Sequence, residues 1–347
     1  MVSKSKNSYI PNFVSPPGDT LLEIINDRSI SQADLARRMG RPKKTINEII
    51  QGKTSITSET ALQLEKVLGA SAGFWLNRQK HYDEYLAKKT ERDQLSNLSE
   101  WVERFPVKRM IELGWIEKKD DNVHKVVEIL RFFGVASPEQ WDLIAKKTVA
   151  AFRLAKKFDS STEDITAWLR KGELIGQDLY CAPYNKNKFL QLLKNEIRAL
   201  TLQPPEIFQH ELQNLCSSVG VAVAFVPQLP KARVSGATRW LSPEKALIQL
   251  SLRYKTDDQL WFTFYHEAGH IIIHGKKDIY LESINGPSLE TKDNENIADK
   301  FAADILIPPE YLNEFLQSFS PDHYPSNEKI IEFSKKIGVA PSIVVGR

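Results

Sequence analysis

The sequence contains few of the residues that stabilise small secreted proteins or hold a chain in a membrane. It has only two cysteines in 347 residues, Cys181 and Cys216, and their spacing fits no metal motif. This argues against a disulfide-stapled secreted protein and favours two free thiols in a reducing compartment, the cytoplasm. No apolar run approaches the roughly eighteen residues of a membrane span. The N-terminal stretch MVSKSKNSYIPNF lacks the apolar block of a secretory signal. We therefore expect a cytoplasmic protein without a membrane partner.

The sequence also lacks low-complexity stretches and internal repeats. Hydrophobic residues make up 41% and charged residues 26% of the chain, which indicates a globular rather than a disordered or fibrous protein. A length of 347 residues favours two or three domains. The charge is unevenly distributed, since residues 1–80 hold twelve Lys and Arg against seven Asp and Glu. The basic excess is therefore confined to the N-terminal segment.

Histidine is scarce too, yet two of the seven stand four apart in the sequence HEAGH at residues 266–270. On an α-helix, residues four apart are offset by about 40° and rise about 6 Å. His266 and His270 would then project from one face at a separation that one metal ion can bridge. Glu267 lies one residue further round the helix, where its carboxylate can act as general base on a water at the metal. The motif predicts the site of a zinc hydrolase.

A zinc hydrolase needs a third protein ligand, and the segment DNENIADKFAADILIPPEYL offers candidates. Its apolar residues, Ile297 among them, recur at helical spacing and predict an amphipathic helix that ends at the proline pair 308–309. Glu295 and Asp299 stand four apart on that helix and share a face. The pair can supply one carboxylate ligand and one carboxylate that orients a ligating histidine. Glu290 is the less favoured ligand because it lies in the expected linker before the helix.

The alternative is that HEAGH belongs to an ordinary buried helix. Phe264 and the isoleucines at 271–273 help to make this segment apolar nearly all round, as in a core helix. A charged Glu267 between two histidines would be costly to bury without partners, and a metal supplies them, so the metal site is preferred. His274 continues the four-residue series, but the drift of the helix carries it about 80° from His266. A structural or surface role is favoured for His274.

These residues carry a family resemblance. HExxH followed by a helix with ExxxD resembles the thermolysin-like gluzincins, and the strings HEAGHIIIH and ENIADKFAADILIP look like the ImmA/IrrE family of metallo-endopeptidases. The similarity covers about residues 200–347, including SGATRW before the helix and IGVAPSIVVGR after it. It implies zinc held by His266, His270 and Glu295, with Glu267 as catalytic base. Asp299 stands where many members have Asn, which leaves its role beside the ligands open.

The basic N-terminal segment carries signals for two short helices joined by a tight turn. Ser31 precedes QADLARRMG with Asp34 three residues on, which is an N-cap signature, and Gly40 is placed as a C-cap. After Arg41, a second helix is predicted from Pro42, whose fixed φ suits the first helical position, to the glycine at 52. Short helix, tight turn and short helix are typical of a helix-turn-helix domain.

The second helix has a composition suited to reading DNA. Three isoleucines are predicted to face inward, and the candidate DNA contacts are Arg41, Lys43, Lys44, Thr45, Asn47, Glu48 and Lys53. The N-terminal side chains of this helix would enter the major groove. Asn47 suits adenine, and Lys43 or Lys44 suits guanine or phosphate. Lys53 is a candidate phosphate contact.

This segment, about residues 15–85, resembles the XRE family of helix-turn-helix domains. Its stretch IQGKTSITSETALQLEKVLGASAGFWLNRQKHYD is closest to the HigA antitoxin subgroup. Double-stranded DNA is the expected partner, bound by a homodimer on a two-fold symmetric site. The alternative is a small helical bundle whose basic face is solvated or binds protein. The basic residues cluster where the motif requires them, which favours DNA.

Between the two motifs, apolar residues at helical spacing in VVEILRFFGV and FLQLLKNEIRAL predict a helical connector. After Cys216 the runs VAVAFV, VSGATRW and ALIQLSL predict a small antiparallel sheet before the HEAGH helix. Because zinc proteases commonly receive substrate beside an edge strand, ALIQLSL is the candidate for that strand. His323, Tyr280 and Tyr311 are candidates for an oxyanion-stabilising side chain, and the sequence does not choose among them.

These patterns predict an α+β multidomain protein. It comprises an all-α helix-turn-helix domain at 15–85, a helical connector at 86–202 and a gluzincin-like α+β metallopeptidase domain at 203–347. The predicted function is that of a DNA-binding transcriptional regulator with a zinc-dependent endopeptidase. By resemblance, that enzyme would cleave a repressor or toxin partner in a stress, mobile-element or toxin-antitoxin circuit. The alternative is a non-proteolytic, HigA-like antitoxin or regulator whose peptidase-like domain binds a partner or senses metal. A structural zinc site fits less well, because HExxH leaves a coordination position open.

Overall fold

The computed structural model describes residues 13–155, 161–232, 234–251, 256–273, 291–318 and 325–347. The chain divides into two compact units that meet in sequence between Leu98 and Ser99. Each unit contains a hydrophobic core of its own. Within the described ranges, no helix is long and apolar enough to cross a membrane.

The N-terminal unit is helical throughout its regular structure. Its helices are α1 (Pro17–Asp27), α2 (Gln32–Met39), α3 (Lys43–Ile50), α4 (Ser58–Leu68) and α5 (Ala72–Leu95), followed by a 3-10 turn at Ser96–Leu98. Each of the five helices contributes a fully buried side chain to the core: Leu21, Leu35, Ile46, Leu64 and Trp75. Helices as short as α2 and α3 are marginal alone in water, so burial of these side chains stabilises them.

The turn between α2 and α3 follows the capping signals of the sequence. The Ser31 hydroxyl accepts a hydrogen bond of 3.1 Å from the Asp34 N–H, and Gly40 has a φ of 65°, which favours glycine. The predicted limits of the second helix are wrong at both ends. Pro42 is the N-cap rather than the first helical residue, because its ψ of 140° is extended, and α3 ends at Ile50.

The C-terminal unit begins with helices and continues into a sheet. The helices before the sheet are α6 (Ser99–Glu103), α7 (Val107–Glu112), α8 (Asn122–Phe133), α9 (Pro138–Ala155), α10 (Thr162–Asp178), α11 (Lys186–Lys194), α12 (Glu196–Ala199) and α13 (Pro205–Ser217), with a 3-10 turn at Leu200–Leu202. The strands are β1 (Val221–Phe225), β2 (Gly236–Ser242) and β3 (Lys245–Leu250). After the sheet come α14 (Asp257–Ile273), α15 (Thr291–Leu306), α16 (Pro309–Gln317), α17 (Asn327–Ile337) and α18 (Pro341–Gly346).

The α+β fold class is confirmed, but the sheet is mixed rather than antiparallel. Its strand order is β1-β3-β2, with β1 parallel to β3 and β2 antiparallel to β3. Strand direction depends on how the connections cross the sheet, which the spacing of apolar residues does not encode. Residues 246–250 of the segment ALIQLSL belong to β3, which pairs on both sides, so the predicted role of this segment as the edge strand that receives substrate is wrong. Among the described strands, β2 lies at an edge.

Helix α10 packs on the sheet through hydrogen bonds as well as apolar contacts. The Trp168 indole N–H donates to the carbonyl of Val226 at 3.1 Å, and the Gln249 amide of β3 donates to the carbonyl of Trp168 at 2.6 Å. The Asp164 carboxylate, near the start of α10, accepts from the Lys231 N–H at 2.9 Å. Residues 162–178 therefore share a unit with the sheet. A connector that ends at residue 202 stays a prediction.

We expect Gly172→Ala in α10 to lower the free energy of unfolding by about 1–3 kcal/mol. A Cβ at position 172 would lie 1.9 Å from Oε1 of Gln249, whose amide is buried and already bonded to Trp168. Urea denaturation followed by circular dichroism measures the effect. Gly73→Ala in α5 is the control, because a Cβ there meets only Ser71 Oγ at 4.0 Å. Equal stability of Gly172→Ala and the unchanged protein would contradict the close contact.

Helices α14 and α15 pack closely because small residues face each other. A Cβ at Gly269 would lie 3.4 Å from the Cα of Ala298 and 3.1 Å from Cδ1 of Phe301. The predicted helix over this part of α15 is present, and Ala298 is fully buried. The prediction that Ile297 faces inward is wrong, since 46% of this residue is exposed. The inward stripe of α15 is narrower than the apolar spacing indicates.

Both cysteines are free thiols, as the sequence predicts. Cys216 is fully buried on α13, and burial raises its pKa well above the ordinary range. Burial also raises the pKa of Cys181. Both thiols are thus protonated near neutral pH, and the protonated form is a poor nucleophile and metal ligand.

Candidate metal centre and helix-turn-helix surface

Helix α14 buries polar groups along with its apolar ones. Phe264, Ala268 and Ile271 are at most 1% exposed, and apolar residues occur nearly all round this helix. The same packing encloses Glu267, which is 2% exposed, and His266, which is 7% exposed. Buried polar and charged side chains are costly without partners. The neighbouring helix α15 supplies partners for His266.

Three side chains from α14 and α15 bring their ligand atoms together. Nε2 of His266 lies 3.1 Å from Nε2 of His270 and 3.2 Å from Oε2 of Glu295. Nε2 of His270 lies 3.5 Å from Oε1 of Glu295. Ligands at about 2.0–2.1 Å from a tetrahedral zinc ion are separated by roughly 3.3 Å. The spacing and the donor set of two imidazoles and one carboxylate therefore fit zinc.

Asp299 contacts the other ring nitrogen of His266. Its Oδ1 lies 2.7 Å from His266 Nδ1, a distance at which the ring N–H donates to the carboxylate. With the proton held on Nδ1, Nε2 carries its lone pair towards His270 and Glu295. This contact selects the tautomer and fixes the ring orientation that a metal ligand requires. Glu295 and Asp299 are brought to the site together because one turn of α15 separates them.

Glu267 lies on a different face of α14, against the edge strand β2. A Cβ at Gly236 would come within 2.8 Å of both Cγ and Oε1 of Glu267, so the strand backbone contacts this side chain directly. The Thr238 hydroxyl donates to the carbonyl of Glu267 at 3.1 Å. Glu267 therefore follows the candidate ligand His266 directly in the sequence, and its side chain contacts the sheet edge. Such an arrangement can place a base between a metal-bound water and an extended peptide.

The surface of α3 in the N-terminal unit presents polar and basic groups. Lys43, Lys44 and Lys53 are exposed, whereas Ile46 and Ile49 are buried in the core. The Lys44 ammonium lies 3.8 Å from Glu48, four residues on. The side-chain oxygen of Asn47 accepts a hydrogen bond of 3.2 Å from the side-chain amide of Gln51. Thr45 and Asn47 are partly exposed. This surface can approach a duplex without rearrangement of the core.

Arg41 is held within the unit rather than extended from it. Its guanidinium forms an ion pair of 3.0 Å with Glu59, and its Nε donates to the Gln63 side chain, both on α4. The guanidinium therefore bonds the turn that precedes α3 to the helix α4. A DNA contact by Arg41 stays a prediction.

Two family matches correspond to these two regions. A helix-turn-helix family matches residues 21–75, and the IrrE N-terminal-like domain, of the M78 peptidases, matches residues 217–346. The chain belongs to the helix-turn-helix family, and its C-terminal part is similar to the IrrE N-terminal-like domain. It joins a helix-turn-helix domain to an IrrE N-terminal-like domain, and the resemblances to the XRE and ImmA/IrrE families are confirmed.

Individual relatives match the helix-turn-helix part. The chain is 34% identical over 74 residues to the uncharacterised HTH-type transcriptional regulator YddM of Escherichia coli K12, covering 21% of this chain and 79% of that protein. It is 36% identical over 81 residues to virulence-associated protein I of Dichelobacter nodosus, covering 23% and 72%. The solved structure of the Pseudomonas aeruginosa antitoxin HigA with the higBA promoter is 30% identical, covers 24% of this chain and 91% of that chain, and has a TM-score of 0.23.

Several candidates in the IrrE N-terminal-like domain lie outside the described residues: His274, Tyr280, Glu290 and His323. The remaining oxyanion candidate, Tyr311, is on α16, where the Lys336 ammonium lies 5.8 Å from its ring centre. The oxyanion assignment stays a prediction. Sequence reasoning did not single out Gly236 and Thr238 beside Glu267, although both belong to the SGATRW string of this domain.

Proposed function

We propose that the chain is a DNA-binding transcriptional regulator whose C-terminal unit is a zinc-dependent endopeptidase. The observation that carries the enzymatic part is the convergence of His266, His270 and Glu295 beside the buried Glu267. A purely structural metal site would not require the buried carboxylate of Glu267, which directly follows His266 in the sequence. In a hydrolase, that carboxylate can act as the general base on the attacking water.

The three ligand side chains would hold the metal, with Asp299 fixing the ring of His266. A zinc ion bound there supplies two effects, a lower pKa for a water molecule and polarisation of the scissile carbonyl. Glu267 accepts the proton of the attacking water and later transfers it to the leaving amine. Packing against the strand keeps its carboxylate beside the peptide.

We infer that the substrate binds in extended form along the edge of β2 that faces away from β3. An edge strand offers unpaired backbone N–H and C=O groups, which can add a peptide as a further strand. Strand β2 is the described edge strand that also contacts Glu267. Main-chain recognition of this kind suits a protein substrate whose target segment is locally unfolded.

The helix-turn-helix unit would bind duplex DNA with α3 in the major groove. The exposed Lys43 and Lys44 and the partly exposed Asn47 are near the N-terminal end and middle of that helix, where base contacts occur. We propose a homodimer on a two-fold symmetric site, with half-sites about one helical turn apart. The local basic excess of residues 1–80 supports phosphate binding.

The single variants Asn47→Ala and Lys53→Ala are expected to distinguish contacts with bases from contacts with phosphates. Loss of a base contact costs about 1–3 kcal/mol against the preferred site and relaxes sequence preference. Loss of Lys53 weakens binding to all sequences and lowers the salt slope by about one. Fluorescence anisotropy with specific and random duplexes over a salt series measures both. Equal loss of specific and random binding in Asn47→Ala would contradict its base-reading role.

The proposed substrate is a repressor or toxin partner in a stress, mobile-element or toxin-antitoxin circuit. A helix-turn-helix on the same chain as the peptidase raises the local concentration of a substrate bound at a nearby operator, so tight recognition by the peptidase is not required. The direct test combines metal analysis of the purified chain with cleavage assays on repressors encoded by neighbouring genes.

The curated relatives match only 74 and 81 residues of this chain, and one is described as an HTH-type transcriptional regulator, which supports a second candidate function. In this alternative, the chain is a HigA-like antitoxin or regulator, and its peptidase-like domain binds a partner or senses metal without cleavage. Both functions need DNA binding, but only the enzyme needs the carboxylate of Glu267. Substitution of that residue therefore distinguishes them.

A further inference from the structure

Two adjacent faces of α14 have different neighbours. His266 and His270 stand four apart on the face directed at α15. Thr263 and Glu267 also stand four apart, and both meet the backbone of β2. A Cβ on Gly236 would lie 2.6 Å from Cγ2 of Thr263 and 2.8 Å from Oε1 of Glu267. Only a residue without a side chain fits there unless the base moves.

Thr238, two residues after Gly236 on β2, also contacts Glu267. Residues two apart on a strand share a face, so Gly236 and Thr238 both point at α14. The Thr238 hydroxyl donates to the carbonyl of Glu267 at 3.1 Å. The backbone carbonyl and the side chain of the same glutamate are thus each held by a residue of β2.

The opposite face of β2 is held by α10. The Arg239 guanidinium donates to the carbonyl of Leu169 at 2.6 Å and lies 3.5 Å from the Glu173 carboxylate. Arg170 of α10 also pairs with Glu173, at 2.9 Å. Strand β2 therefore has bonded contacts on both faces. A side chain added at Gly236 would have to displace Glu267 or Thr263, because the strand itself is held in place.

We propose that β2 sets the position of the catalytic base, with Gly236 and Thr238 as positioning residues for Glu267. The inference rests on the proposed peptidase function. Because the substrate would bind along the same strand, β2 fixes the distance from the carboxylate to the scissile bond. The peptide then pairs with β2 in a fixed register, and Gly236, which has no side chain, lets the Glu267 carboxylate lie directly against the strand.

The test measures kcat and KM of the zinc-loaded full chain on a quenched fluorescent peptide. The peptide is chosen from a randomised pool as one that the wild-type protein cleaves. Gly236→Ala is expected to lower kcat by about 10- to 100-fold, because an error of about 1 Å costs rates of this order. KM and zinc content are expected to stay within about twofold, since the peptide edge and metal ligands are intact. The control is Gly73→Ala in the N-terminal unit, where a Cβ would meet only Ser71 Oγ at 4.0 Å, and its kcat is expected to be unchanged. Thr238→Val is expected to lose activity that Thr238→Ser retains.

A double-mutant cycle on thermal unfolding gives a readout that needs no activity. Gly236→Ala is expected to lower Tm by about 2–4 °C, the shift for about 1 kcal/mol in a unit of this size. In a Glu267→Ala background, the fall in Tm caused by Gly236→Ala should be less than half as large, because the carboxylate that the new methyl group would crowd has been removed. An equal loss in both backgrounds, or an unchanged kcat in Gly236→Ala, overturns the inference. Failure of the wild type to cleave any peptide would instead remove the proposed function, while the cycle still decides whether β2 positions Glu267.

Discussion

Replacing Glu267 by Gln is expected to abolish peptide cleavage while the protein keeps its metal. Glutamine has nearly the shape of glutamate but cannot accept the water proton, so we expect kcat to fall by about 10²- to 10⁴-fold. Since the substitution leaves the ligand atoms of His266, His270 and Glu295 unchanged, zinc content should match the wild type. Metal analysis by mass spectrometry and cleavage of neighbouring-gene repressors measure the two properties on the same samples.

The same variant separates the enzyme from the regulator in cells. Glu267→Gln should leave operator binding unchanged, because the helix-turn-helix domain is a separate compact unit. Derepression of genes near the operator should be lost. If derepression survives in both Glu267→Gln and His266→Ala, the C-terminal unit acts as a binding or sensing module. The antitoxin-like function then fits the chain better.

Removal of any one metal ligand is expected to empty the site. We expect His266→Ala, His270→Ala and Glu295→Ala each to lose zinc on dialysis, because two remaining ligands hold the ion weakly. Asp299→Ala should keep the ligands but lower zinc affinity by about 10- to 100-fold, since the ring of His266 loses its orienting carboxylate. Competition with a chromogenic chelator measures the affinities.

The matched control for these variants is Asp293→Ala, an exposed carboxylate on the same helix α15. It should retain the wild-type affinity. Full zinc occupancy in Glu295→Ala would exclude Glu295 as the third ligand. Loss of zinc in Glu290→Ala, with retention in Glu295→Ala, would assign the ligand to the segment before the helix.

The sequence predicts those features whose physical cause is local. The cap of α2 needs only Ser31, Asp34 and Gly40, which lie within ten residues, and the structure has both cap contacts. The histidine pair is likewise defined by one turn of helix. Glu295 and Asp299 are predictable because helical spacing places them on one face, although their meeting with α14 depends on packing between helices.

Features that depend on distant partners were missed or wrong. Direction and order in the sheet depend on a pairing between β1 and β3, which are separated in sequence by β2. Arg41 pairs with residues of α4, which no local pattern indicates. The role of Gly236 comes from the absence of a side chain beside Glu267, and glycine in a strand pattern is equally typical of a bulge or a tight bend. In each case the cause is a contact between elements.

The packing of α10 on the sheet restricts where recombination can divide this gene without loss of folding. The indole of Trp168 donates to the carbonyl of Val226, and the amide of Gln249 donates to the carbonyl of Trp168, so a crossover between residues 168 and 226 would separate α10 from the sheet region that it bonds. A crossover near the codons for Leu98 and Ser99 would keep α10 and the sheet within one compact unit. Exchange of the helix-turn-helix unit at that point would therefore leave α10 joined to the sheet on which it packs.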